Sequence, residues 1–262
     1  MIKKIFFLFI FASLISSCVT TPVSNRSALI LVPFDQEVAL GAQAFDEITQ
    51  KEKESANKRL NEIVQRVGKR IAEVSDMPDL NWEFKLIESE QQNAFALPGG
   101  KVAVYTGILS VAQNEAGLAT IVGHEIGHAI ARHGAQRMSQ QMVLQGALTA
   151  ASVNLQNNTN RNMIMAALGI GANIGIALPF SRANESEADE IGLVYMARAG
   201  YDPSEAINFW SRFNDEKKSK PPELLSTHPS DTTRVRELES QLENALKIYR
   251  NAPNQYGFGE TF

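Results

Sequence analysis

Leu60, Ile63, Val64, Val67 and Ile71 recur at spacings of three and four, the period of a helix with one apolar face. The whole stretch from Asp35 to Val74 reads as helical, and the turn residues of DMPDL close it. The period then changes. Trp82 to Glu88 (WEFKLIE) and Lys101 to Gly107 (KVAVYTG) are short, β-rich runs, and NAFALPGG between them supplies turn material at Pro98, Gly99 and Gly100. A small sheet set in a helical protein is predicted. A new helix starts at Asn114-Glu115. Two uncharged runs follow, Met138 to Asn160 and Met163 to Phe180, and they contain Gln140, Gln141, Gln145, Asn154 and Asn173. These polar residues favour two helices packed on the domain, near a membrane surface, over a membrane-spanning hairpin. Asp202-Pro203-Ser204-Glu205 combines an N-cap, a first-turn proline and an acid at the third helical position, so it starts a helix. A charged, proline-containing loop precedes the last amphipathic helix, marked by Val235, Leu238, Leu242 and Leu246. Residues 251–262 read as a loose tail, and no internal repeat is present. The fold class is α+β, mainly α.

Composition narrows the function only slightly. The chain has 262 residues, 44% hydrophobic and 21% charged, with a formal net charge of −4, an ordinary globular balance. Neither mild acidity nor any Lys/Arg cluster suggests a nucleic-acid partner.

The N-terminus adds more. Lys3 and Lys4 precede an uncharged apolar run from Ile5 to Ile15, and small residues then lead to Cys18. This is the layout of a secretory signal peptide, too short for a comfortable membrane span. Cys18 is the only cysteine, so no intramolecular disulfide can form. LISSC resembles a bacterial lipobox. That resemblance implies cleavage after residue 17, a diacylglyceryl anchor on Cys18 and, with Val19 rather than Asp next, sorting to the outer membrane. The expected organisation is a signal peptide at 1–17, a lipidated tether at 18–34, one folded domain at 35–250 and the tail at 251–262.

The chemistry concentrates in IVGHEIGHAIARHG, residues 121–134, which holds three of the four histidines. At about 100° per residue, His124 and His128 lie about 40° apart, one turn above the other. Two imidazoles so placed can bind one zinc ion, and Glu125 can reach a water beside it, which is the physical content of H-E-x-x-H. Ala119, Ile126 and Ile130 fall on the opposite side of the wheel. His133 is rotated about 140° from His128, so a structural role suits it better than ligation. A hydrolytic zinc ion takes a third protein ligand. SRANESEADEIG offers Glu185 and Asp189 on one face, one as ligand and the other behind a ligand imidazole, while Glu187 points elsewhere.

HEIGHAIARH, SRANESEADEIG, STHPSDTTR and the upstream NAFALPGGKVAVYTGIL together resemble the zinc metallopeptidases of the CAAX prenyl protease, HtpX and Oma type. The similarity runs from about Asp35 to Tyr249. It is greatest to the bacterial periplasmic lipoprotein branch (LoiP-, YcaL- and BepA-like), here without a tetratricopeptide-repeat domain. The resemblance implies a gluzincin-type fold with a small sheet beside the H-E-x-x-H helix. It makes His124, His128 and Glu185 the ligands of one Zn2+, Glu125 the general base and Asp189 the support of a ligand histidine. His228 is then expected at the metal centre, either stabilising an oxyanion or blocking the open position. Arg182 and Arg234 are expected as structural supports. Val102, Ala103 and Val104 of KVAVY are expected to pair with extended substrate by strand addition.

The reading that follows is a lipid-anchored periplasmic endopeptidase acting on unfolded or misassembled envelope proteins. Its rival is a chaperone-like or binding lipoprotein with a closed, rarely active metal site. A purely structural zinc site would leave Glu125 without a task.

Overall fold

A computed structural model of the chain describes residues 18–154, 181–216, 224, 228 and 232–262. The helical text from 35 to 74 forms two helices, α1 (Phe34–Lys51) and α2 (Lys58–Glu73). The break between them serves the sheet: Ser55 N donates to Leu86 O, and Lys53 O accepts from Glu88 N. Asn57 then caps α2, its side chain accepting from Leu60 N. The predicted stripe of α2 is the buried one, with Ile63, Val64, Val67 and Ile71 in the main core.

Three strands form the sheet, β3 (Glu83–Ile87), β4 (Ala94–Leu97) and β5 (Lys101–Tyr105), in the order β3-β5-β4. β5 pairs parallel with β3 and antiparallel with β4, with Phe84 opposite Val102 and Ala96 opposite Val102 on the other side. The turn expected at Pro98, Gly99 and Gly100 is present, and Ala94–Leu97 before it forms a strand not expected from the sequence. One expectation is corrected. Val102, Ala103 and Val104 lie in the central strand, fully buried with both edges paired, so no substrate can add to them. The sheet edge that faces the H-E-x-x-H helix is β4.

That helix is α4 (Glu115–Ile130), reached through a short 3-10 turn and α3 (Leu109–Ala112). All but one of its residues are buried, as a helix apolar on most sides must be. α5 (His133–Asn154) follows almost at once. α6 (Arg182–Arg198), α7 (Ser204–Glu216) and α8 (Thr232–Arg250) complete the helical layer. Among the described residues, no helix is long and apolar enough to cross a membrane. The second uncharged run, 163–180, lies outside the described residues.

α4 and α6 touch backbone to backbone. A Cβ added at Gly192 would sit 2.7 Å from His124 N, one at Gly127 2.8 Å from Ala188 O, and one at Gly123 3.0 Å from Gly192 O. A methyl at Gly192 or Gly127 would force the facing backbone to shift, and one at Gly123 would crowd it.

The expected tether and the expected tail are both more ordered than their sequences suggest. The expected tether contains a hairpin, β1 (Cys18–Thr20) antiparallel to β2 (Ser27–Leu29). Ala28 and Ile30 of it pack on Ala135 and Met138 of α5. The expected loose tail is bound along its length: Phe258 O and Glu260 O accept from Ala116 N and Glu115 N at the start of α4. Gly257 O accepts from Asp202 N, and Phe262 N donates to Gln113 O. Arg59 and Arg66 both reach the Glu260 carboxylate.

Gly192→Ala is expected to lower stability by about 1–3 kcal/mol, because the methyl meets backbone that cannot swing aside. Urea unfolding checks this, with a reduced midpoint against an unchanged slope as the outcome.

Candidate metal centre

α4 brings His124 and His128 together with their Nε2 atoms 3.1 Å apart. α6, held at glycine distance, sends Glu185 into the same space. Its Oε2 lies 3.4 Å from His124 Nε2 and its Oε1 3.4 Å from His128 Nε2. His228 closes the group, with Nδ1 3.3 Å from His124 Nε2 and 3.1 Å from Glu185 Oε1. It is set there by its N–H bond to Leu224 O, and Leu224 in turn donates to Gln92 O ahead of β4. These four residues are the cluster of possible metal ligands among the described residues, and all are buried.

The donor set fits a metal ion. Zinc–ligand bonds of about 2.0–2.1 Å at tetrahedral angles put neighbouring donors about 3.3 Å apart, and the five distances above run from 3.1 to 3.4 Å. Glu185 Oε2 is buried with no hydrogen-bond partner among the described residues, although Arg234 Nη1 lies 3.1 Å away. The guanidinium attracts it without aiming an N–H at it. A cation between the donors would satisfy that oxygen and separate ring nitrogens that otherwise confront each other.

Partners behind the ligands fix their orientation. His124 Nδ1 lies 2.8 Å from Asp189 Oδ1, which sits one turn after Glu185 on α6. Arg234 grips the same carboxylate with two bonds of 2.6 Å, Nε to Oδ2 and Nη2 to Oδ1, and lies over the Trp210 ring. His128 Nδ1 lies 2.8 Å from His133 Nδ1, and His133 Nε2 is 3.0 Å from Glu187 Oε2. His133 is therefore structural, and Glu187 faces away from the ligand group, as their helical positions imply.

Protonation follows from this arrangement. Burial works against a charge on His124, but Asp189 and Glu185 outweigh it and raise the ring to about 9. Burial among other histidines pushes His128 well down. Burial would raise Glu185, yet its contacts with the three histidines hold it far below the ordinary carboxylate range. Asp189 also goes down, the Arg234 and His124 charges prevailing over burial. Glu125 goes the other way, pushed up chiefly by burial.

Glu125 stands beside the cluster. Its Oε2 accepts from Ala96 N of β4 at 3.0 Å, and its Oε1 lies 3.6 Å from His228 Nε2 without a hydrogen bond among the described residues. The structure thus gathers His124, Glu125, His128, Glu185, Asp189 and His228. It leaves Val102, Ala103 and Val104 inside the sheet, and Cys18 at the start of β1. Sequence reasoning missed Ala96, whose strand is four residues long, and the pairing of His133 with Glu187. The spacing of Glu187 on α6 held a signal for the latter, since it turns away from Glu185 just as His133 turns away from His128.

Two outcomes are expected. Zinc at a hundred times its Kd should stabilise the protein by about 2.7 kcal/mol, seen as a rise in Tm that a chelator reverses. Asp189→Asn should weaken metal binding about 10- to 100-fold in a competition titration.

The comparisons with known proteins agree with this centre. Residues 58–242 match peptidase family M48. The chain is 37% identical over 234 residues to the mitochondrial metalloendopeptidase OMA1 of Schizosaccharomyces pombe, covering 86% of this chain and 66% of that protein. It is 32% identical over 251 residues to OMA1 of Saccharomyces cerevisiae, covering 88% and 71%. Against the beta-barrel assembly-enhancing protease of Yersinia pestis it is 29% identical over 241 residues, covering 89% of this chain but 49% of that one. The chain therefore spans between about half and about 70% of the length of these relatives. The matched span contains both ligand-bearing helices and His228: the chain belongs to peptidase family M48.

Proposed function

We propose that this M48 metallopeptidase is a zinc-dependent endopeptidase of the bacterial envelope, anchored by lipid at Cys18 and cutting extended segments of unfolded or misassembled proteins. The observation that carries the reading is the buried His124–His128–Glu185 donor set with Glu125 and one edge strand beside it. The apolar leader and LISSC support export and anchoring. The similarity to beta-barrel assembly-enhancing proteases supports the envelope.

Zinc held by His124, His128 and Glu185 would supply Lewis-acid activation of water and of the scissile carbonyl. The remaining work falls to side chains. Glu125 takes a proton from the attacking water and returns it to the leaving amine, and burial raises its basicity for that role. Asp189 holds the Nδ1 proton of His124, so that Nε2 keeps its lone pair for the metal. Ala96 N–H points out of β4 at the site, so this edge is where an extended peptide would pair. A cavity of about 210 Å3 beside His128, lined mainly by apolar groups such as Leu40, Ala44, Leu97 and Met138 with Glu37, Arg132 and Arg137 also on its wall, has room for a side chain of that peptide.

His228 occupies the corner where a reacting water would stand. In this reading His228 acts as a lock on that position. The same placement favours the second reading, a binding lipoprotein that seldom cleaves.

Cleavage of an unfolded reporter by zinc-loaded protein separates them. Glu125→Gln should lose about 10²- to 10⁴-fold in rate while still binding zinc. His228→Ala should cleave faster, on the order of tenfold for each 1.4 kcal/mol of closure removed. Zinc binding with no cleavage by any form would favour the binding lipoprotein, and a slower His228→Ala would make that histidine a stabiliser of the transition state.

A further inference from the structure

The two ligand histidines are held in different ways, and the difference leads out of the metal centre to the N-terminal hairpin. His124 meets a carboxylate directly. His128 meets one through His133, with 2.8 Å between the two Nδ1 atoms and 3.0 Å from His133 Nε2 to Glu187 Oε2. A neutral imidazole that gives Nε2 to a metal keeps its proton on Nδ1. His128 Nδ1–H therefore donates to His133 Nδ1. His133 must then carry its own proton on Nε2 and donate to Glu187. Each bond has one possible direction, counted outward from the metal.

Glu187 is buried, and one short stretch of chain supplies its other contacts. Thr21 Oγ1 and Ser24 Oγ both donate to Oε1, and Arg26 Nε donates to Oε2 at 2.6 Å. Arg26 Nη2 also pairs with Oε2 and reaches Gln136 Oε1 at 2.8 Å. The turn is tightly shaped to do this. Thr21 N donates to Arg26 O, Asn25 N donates to Thr21 O, and Val23 and Asn25 take φ values of 62° and 54°. A left-handed valine costs free energy and persists only where its surroundings enforce it. Here the surroundings are a loop wrapped around a carboxylate.

We propose that residues 21–26 are a positioning element of the metal centre: through Glu187 and His133 they fix the tautomer and ring plane of His128. The inference rests on the reading of His124, His128 and Glu185 as metal ligands. It adds that a metal ligand on α4 is governed from residues close behind Cys18, about a hundred positions earlier in the chain.

The test measures zinc affinity by competition with a chelating dye, and the visible spectrum of the cobalt(II)-substituted protein, which reports ligand geometry. Arg26→Ala and Glu187→Gln should each weaken zinc binding about 10- to 100-fold and shift the cobalt bands. Thr21→Val should weaken it too, while Thr21→Ser, which keeps the hydroxyl, should match the parent. Tyr195→Phe breaks a hydrogen bond to Asp76 away from this chain of contacts; it should cost stability and leave affinity and spectrum unchanged. If Glu187→Gln does not fold, the partly exposed Arg26 side chain still gives a decisive variant. Parent-like affinity and spectrum in Arg26→Ala and Thr21→Val would overturn the proposal. Failure of the parent to bind either ion would overturn the metal reading beneath it.

Discussion

The separation of two helices governs this structure. Ligands from α4 and α6 must come within 3.4 Å of one another, and carboxylate side chains are short. Contact at Gly123, Gly127 and Gly192 makes that possible, since a Cβ at any of them would press on the facing backbone at 3.0 Å or less. The same contact places Asp189 behind His124, because Glu185 and Asp189 are one helical turn apart on α6 just as the two histidines are on α4. The sheet, α7 and α8 then complete the surroundings, bringing Ala96, Trp210 and Arg234 to a centre already set by helix spacing.

Burial of so many ionisable groups carries a heavy desolvation cost unless their charges are matched. Glu125, Glu185 and Asp189 contribute three carboxylates and Arg234 one guanidinium, all buried. With neutral histidines, two negative charges are left over, and one divalent cation cancels them. That count holds for a metal-bound form; without an ion, burial is outweighed by Asp189 and Glu185, which raise His124 to about 9, and its proton takes up part of the excess. The excess negative charge also explains why Arg234 approaches both Glu185 and Asp189: the guanidinium offsets part of it in a place that solvent does not reach.

What could be read from the sequence was whatever a local period determines. His124, Glu125 and His128 on one helix, and Glu185 with Asp189 on another, needed only 3.6 residues per turn. The stripe of α2 and the Asn114 start of α4 came from the same rule and from capping chemistry. The elements misread owe their form to distant partners. β4 is four residues long and is specified by its pairing with β5. The break before Lys58 follows Ser55, which bonds to β3 instead of continuing a helix. The hairpin takes its shape from Glu187, and the tail from the first-turn N–H groups of α4. Substrate pairing was expected at Val102, Ala103 and Val104, which form a central strand, because alternation does not tell an edge from a centre.

The attachment of residues 258–260 to the start of α4 has a bearing on the order of events during synthesis. The first N–H groups of the helix that carries His124 and Glu125 find their acceptors in Phe258 and Glu260, and these are made long after the helix itself. A chain still emerging from the ribosome therefore holds its ligand-bearing helix with an unfinished first turn.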